Sequence, residues 1–316
     1  MVGFFSLPVA CLTLLLLLAL VPSLTLGLPA SIKPESMSDK LRIVGGSDAA
    51  NNDFPFVVRI FTARDSTRTT GFLCTGAIIS KRHIITAAHC FFDTTVGTRL
   101  PDTNMELEYG DDIAHTSPNN MAVRGHVYNG YSIKGVLGDI AMVETRNEIA
   151  FSSKVQPIKF AKLGTNASSN DRSTPVPART NVMAVGWGST NPVQSVMTTH
   201  LQKVNLLTGE PQECAKILPA EIKDWSTLVC TTGTPGHDTC YGDSGGPLIV
   251  YERKTVDGEE VNVPALVGLT SFGDTPEHKP HPACGDKDIV AFYTLVSRYS
   301  EWVAGIVGVP QSSLFH

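Results

Sequence analysis

Gly242-Asp243-Ser244-Gly245-Gly246-Pro247 sets one serine among glycines. Glycine adopts backbone angles that other residues resist, so this run can form a tight turn that exposes the hydroxyl and brings backbone N–H groups near it. A serine hydroxyl is a weak nucleophile. It needs a base to take its proton, a group that orients the base, and donors for the charge that develops on an attacked carbonyl oxygen. Two other stretches offer those parts. Thr86-Ala87-Ala88-His89-Cys90 puts an imidazole beside a cysteine that can staple its loop. Gly138-Asp139-Ile140-Ala141 sets a carboxylate at the head of an apolar run, where it can be buried against a partner.

The surrounding chain reads as β structure. Glycine (27) and proline (20) are plentiful, and no long helical periodicity dominates, which favours short strands joined by turns. Residues 54–61, 72–79, 83–87, 106–109, 182–185, 247–251 and 265–270 are rich in Val, Ile, Thr and aromatics and are expected to be strands. One helix is expected near the C-terminus, where Leu295, Tyr299, Trp302, Val303 and Ile306 form a single apolar stripe that would dock on the core. Residues 164–177 read as a loop joining two halves. They carry the sequon Asn166-Ala167-Ser168, a candidate glycan site.

The serine, histidine and aspartate stretches, together with Ile43-Val44-Gly45-Gly46, resemble the chymotrypsin-like serine proteases of the trypsin family, in the chain order His, Asp, Ser. Gly186-Trp187-Gly188, Ser271-Phe272-Gly273 and Tyr299-Ser300-Glu301-Trp302 support the likeness, which covers residue 43 to about residue 307. The family usually carries Trp where Phe272 stands. The resemblance implies an all-β fold of two packed antiparallel six-stranded β-barrels with a C-terminal helix. It also implies hydrolysis of protein or peptide substrates without a cofactor or metal, and protein protease inhibitors as possible partners. By the family's roles His89, Asp139 and Ser244 are catalytic, and the N–H groups of Gly242 and Ser244 form the oxyanion hole.

The resemblance also assigns specificity and activation. Asp238, six residues before Ser244, falls where trypsin-like members carry an acidic pocket floor, which implies cleavage after Arg or Lys. Ser271, Gly273 and Ala291 would line that pocket. Ala291 replaces a usual glycine, and residues 273–284 are longer than the family norm. Arg42-Ile43 resembles the family's zymogen cleavage site. Cutting there gives Ile43 an ammonium group, and Asp243 is the carboxylate implied to pair with it, since a buried unpaired charge is costly.

The N-terminus has an apolar run, residues 9–21, followed by Pro22 and small or polar residues. It reads as a secretory signal peptide over residues 1–27, then an activation propeptide over residues 28–42 and a protease domain over residues 43–316. The n-region lacks Lys and Arg, and the rival reading is a retained signal anchor. The run is short for a span of ~20 residues, so a secreted, extracellular protein without stable membrane association is expected. Of seven cysteines, Cys11 lies in that leader. Cys74, Cys90, Cys214, Cys230, Cys240 and Cys284 remain for disulfides in an oxidising compartment, and residue spacing alone leaves their pairing open. The resemblance pairs Cys74 with Cys90, Cys214 with Cys230 and Cys240 with Cys284. The net charge of −5 and the absence of a clustered basic run argue against nucleic acid as a partner. Glu106, Glu108, Asp111 and Asp112 do not reproduce a clear calcium loop and are expected to form a solvated face. The alternative function is a non-catalytic homologue acting as a binding or inhibitory module. Such proteins lose a triad member or the activation site, and this chain keeps both.

Overall fold

The computed structural model describes residues 44–50, 52–110, 120–133, 137–162, 176–191, 198–218, 222, 226–232, 235–279 and 282–316. The signal segment, the propeptide, Arg42, Ile43, Asp111, Asp112 and Asn166 lie outside the described residues.

Strands Val57–Ala63, Gly71–Ile78, His83–Thr86, Ala141–Thr145, Asn120–Val127 and Met105–Glu108 pair in that spatial order and close into an antiparallel barrel. Six more strands form the second body, in the order Gln202–Leu207, Asn181–Gly186, Pro247–Val256, Glu259–Asp274, Val290–Leu295 and Leu228–Thr232. This sheet rolls round until its outer strands meet through an isolated bridge, Thr208 to Thr231, rather than through a ladder. Ser47–Asp48 and Lys159–Phe160 add short strands to it.

The apolar runs are continuous because both faces of several strands are buried. Val58, Ile60, Ile78, Ile84 and Val143 fill the first barrel, while Val57, Ala77, Ile85 and Met142, the alternate residues, face a second core. That core lies between the two bodies and includes Trp187, Ile249, Leu266 and Val303. Period-2 geometry turns such doubly buried strands into apolar runs without polar alternation. The expected C-terminal helix is Ser300–Val307, ended by Gly308 and preceded by a 3₁₀ turn, Val296–Tyr299, and the described residues also hold a short helix that was not expected, Pro211–Ala215. Leu295 therefore ends a strand rather than starting the helix. Tyr299 and Trp302 meet Tyr128 of the first barrel edge-on, at 5.0 and 5.5 Å between ring centroids. The C-terminal segment thus buttresses both halves. Among the described residues no helix is long and apolar enough to cross a membrane.

Two strands run further than their residue types suggest. Pro247–Val256 and Glu259–Asp274 form a long hairpin around Asp257-Gly258, both at positive φ. Asp-Gly is a strong two-residue hairpin signal, so the tip was readable from sequence. The extension beyond Tyr251 carries Glu252, Arg253, Lys254, Glu259 and Glu260, which hide it from a search for apolar runs.

Candidate active site

His89 sits in a one-turn 3₁₀ segment, Ala88–Phe91, directly after strand His83–Thr86. The Cys74–Cys90 disulfide ties this turn to strand Gly71–Ile78. Asp139 lies just before strand Ala141–Thr145, the neighbour of His83–Thr86, so sheet pairing brings the two residues together. Its Oδ1 accepts the His89 backbone N–H at 2.9 Å, and its Oδ2 lies 2.8 Å from His89 Nδ1. Ser271 Oγ donates to the same Oδ2 at 2.5 Å, and Thr294 Oγ1 donates to the Asp139 carbonyl at 2.8 Å.

Burial disfavours both charges of this pair, but their mutual attraction and hydrogen bonds outweigh it. The Asp139 carboxyl is held below its ordinary value and the His89 imidazole is held above its own. With Asp139 ionised, the proton on His89 belongs on Nδ1, which leaves Nε2 free to accept another.

Ser244 arrives from the second body. Its carbonyl accepts the Thr75 N–H at 2.8 Å, which anchors the serine turn to strand Gly71–Ile78. His89, Gly242 and Ser244 line one cavity of about 560 Å³, together with Phe72, Leu73 and Arg64. A second cavity of about 310 Å³ is also lined by Ser244. Asp238, Ser271, Gly273 and Ala291 all line it, with Phe272 and Lys279. The Phe272 ring stacks on Phe292 at 4.7 Å. Lys279 comes from the lengthened residues 273–284, and its position on this wall was not foreseen.

Asp238 is 3% exposed and accepts the Gly285 N–H through Oδ2 at 3.2 Å. Burial raises its carboxyl to about 6 against the lowering effect of hydrogen bonds from Gly285 and Thr239. Asp243 is 1% exposed, accepting from Gly188 N at 2.8 Å and from Cys240 N at 2.9 Å. Burial raises it to about 7, opposed by those two bonds and reinforced by the charge of Asp238. A Cβ on Gly186 or Gly188 would run into this carboxylate, which gives Gly186-Trp187-Gly188 a steric reason. Val44, the first described residue, accepts the Asp238 N–H at 3.1 Å.

The other disulfides are Cys214–Cys230 and Cys240–Cys284, and the latter ties the 310 Å³ cavity wall to the turn before Ser244. The acidic residues at 106 and 108 correct an expectation. Glu108 accepts from Arg59 of the neighbouring strand at 2.7 Å and Glu106 accepts from Arg68, in the loop after that strand, at 2.7 Å, so both are held in ion pairs rather than on a solvated face. Two polar supports also escaped sequence reading, Thr294 on Asp139 and Thr75 on the serine turn. Isolated threonines in strands carry no local signal of such roles.

A family model described as Trypsin matches residues 43–303. Kallikrein-8 of Homo sapiens is 26% identical, covering 86% of this chain and 89% of its own length. Trypsin Tyr p 3.0101 of Tyrophagus putrescentiae is 28% identical over 92% of this chain and 90% of its own. Phenoloxidase-activating enzyme 1 of Spodoptera litura is 29% identical over 84% of this chain and 67% of its own.

Proposed function

Because the chain belongs to the trypsin family and is a serine-type endopeptidase, we propose that Ser244, His89 and Asp139 are its catalytic triad and that it cleaves after Arg or Lys. The observation that carries the triad is the double hold of Asp139 on His89, beside a cavity that His89 shares with Ser244.

In this reading His89 Nε2 takes the proton of Ser244 Oγ as the oxygen bonds to the substrate carbonyl carbon. Negative charge moves to the carbonyl oxygen, where the N–H groups of Gly242 and Ser244 receive it. His89 then gives the proton to the departing amine as the C–N bond breaks, leaving an acyl-enzyme on Ser244. Water, deprotonated by His89, attacks the acyl carbon and restores the hydroxyl. Asp139 keeps the imidazole in one tautomer and stabilises its charged form throughout.

Asp238 supplies the specificity. A buried carboxylate in the wall of this cavity is satisfied by a guanidinium or ammonium and is left to water by an apolar side chain. Ala291 narrows that cavity by one methyl, and Lys279 adds a like charge to its wall that opposes the attraction of Asp238 for a cation.

The precursor is secreted after loss of residues 1–27 and becomes active when Arg42-Ile43 is cut and residues 28–42 are freed from the protease domain. The new ammonium on Ile43 pairs with Asp243, whose raised carboxyl reports how poorly that buried position holds an unpartnered charge. Asn166 is a glycan acceptor in this secreted form. Cleavage rates on matched peptides ending in Arg, Lys, Phe and Leu, for the parent and for Asp238→Ser, test the specificity. A parent that prefers Phe or Leu refutes it while leaving the triad intact.

A further inference from the structure

The oxyanion donors sit in a turn that glycine makes pliable. Gly242 has φ +99°, a backbone state that favours glycine, so its two flanking peptide planes need outside anchors to hold one orientation. Each plane has one. The Tyr241 carbonyl, in the plane that carries the Gly242 N–H, accepts from Ser189 N at 2.6 Å. The Gly242 carbonyl, in the next plane, accepts from the side-chain hydroxyl of Thr75 at 2.9 Å. The N–H of that second plane belongs to Asp243 and donates to Cys240 O at 3.0 Å.

Thr75 is fully buried, on strand Gly71–Ile78 of the first barrel, while the turn belongs to the second body. It makes three bonds at this junction. Its N–H donates to the Ser244 carbonyl at 2.8 Å, its hydroxyl to Gly242, and its carbonyl accepts from Thr86 Oγ1 at 2.8 Å on the segment that leads to His89. The two backbone groups would serve any residue type. The hydroxyl alone is specific to this side chain, and it is the group that reaches Gly242.

We propose that Thr75 is a positioning residue of the oxyanion hole: its hydroxyl fixes the Gly242–Asp243 peptide on one side of Gly242, complementing the Ser189 bond on the other, so that the turn keeps the Gly242 N–H towards the developing oxyanion. The inference rests on the proposed roles of Ser244 and Gly242. Thr75 touches no substrate. Its effect passes through Gly242, so it must be felt most where the carbonyl oxygen carries charge and least in ground-state binding.

The test uses the full chain activated by cleavage after Arg42, as parent, Thr75→Val and Thr75→Ser. Val keeps the shape and deletes the donor, whereas Ser keeps the donor. For Thr75→Val we expect kcat to fall about tenfold with KM within about twofold, the size of one buried hydrogen bond lost with its acceptor left unpaired. A peptide aldehyde adds to Ser244 Oγ to give a tetrahedral adduct, and its affinity should fall by the same factor. The matching peptide alcohol, which cannot form that adduct, should bind as before. Thr75→Ser should recover most of the loss. If Val does not fold, Thr75→Ala deletes the donor without adding bulk and reads the same ratio. The proposal is overturned by an unchanged kcat in Thr75→Val, by equal losses in Val and Ser, or by parallel weakening of aldehyde and alcohol. Fluorophosphonate labelling of the parent separates the premises, since a parent that takes no label at Ser244 removes the catalytic reading itself.

Discussion

Asp139 grips His89 at two points, its backbone N–H through Oδ1 at 2.9 Å and its Nδ1 through Oδ2 at 2.8 Å. The first bond fixes where the residue is, and the second fixes where its proton is. Asp139→Asn keeps the size but offers an NH₂ group where a carboxylate oxygen stood, which forces the imidazole towards the unproductive tautomer. kcat should fall by about 10⁴-fold, the magnitude attached to this change in the triad used as a general template. The melting temperature, measured beside the rate, should move little in comparison. A variant within tenfold of the parent would show that Asp139 does not orient the base.

The same contact sets the acid side of the pH profile. In the proposed triad His89 must be neutral to accept the serine proton, and Asp139 holds the imidazole above its ordinary value against the opposing effect of burial. Activity should therefore be lost on acidification through a group titrating above ~6.5, the value of an unperturbed histidine. The profile of kcat/KM on an uncharged-leaving-group peptide reads this directly. An acid limb well below that value contradicts the coupling.

Asp238 predicts a second, separate titration. Its carboxyl in the empty cavity is raised to about 6, and a bound amidinium favours the ionised form. Benzamidine binding near pH 6 should release protons, and its affinity should weaken as the pH falls below that value. At pH 8 proton release should vanish. Calorimetry in buffers of different ionisation enthalpy counts those protons, and Asp238→Ser should abolish both the release and most of the affinity. Binding with no proton exchange near pH 6 would remove Asp238 from the contact.

For Asp243 the signs differ between precursor and cut form. In the uncut chain its folded value of about 7 lies above the ordinary 3.8, so the folded state holds the proton more tightly than the unfolded one. That contribution is fully present below the unfolded value and is lost as the pH rises towards about 7. Uncut parent should therefore lose stability between about pH 4 and 7 relative to uncut Asp243→Asn. After cleavage the new ammonium favours the ionised carboxylate, and the difference should shrink or reverse. Melting temperatures of both proteins, cut and uncut, across that range provide the check. Identical pH dependence in all four contradicts an activation role for Asp243.

Much of this site was legible in sequence because its chemistry is local. His89, Ser244 and their flanking residues need particular neighbours for turn geometry, and those neighbours are adjacent in the chain. Asp238, Ser271, Gly273 and Ala291 line one cavity. The paired strands lent weaker signals. Asn120–Val127 and Gln202–Leu207 alternate too irregularly to stand out, and the long hairpin tip is polar on both strands. Long-range polar contacts left no trace at all. Thr75 and Gly242 are 167 residues apart, and nothing in either neighbourhood announces their bond. Arg59 likewise reaches Glu108 only because strand pairing brings it alongside, and Arg68 reaches Glu106 from the loop after strand Val57–Ala63.

Covalent labelling reads the nucleophile itself, which we propose is Ser244. The chain cut after Arg42 should react with a fluorophosphonate to give one adduct, located to Ser244 by peptide mass spectrometry, while Ser244→Ala and the uncut precursor should label slowly or not at all. An adduct on another residue, or equal labelling of Ser244→Ala, would contradict the account.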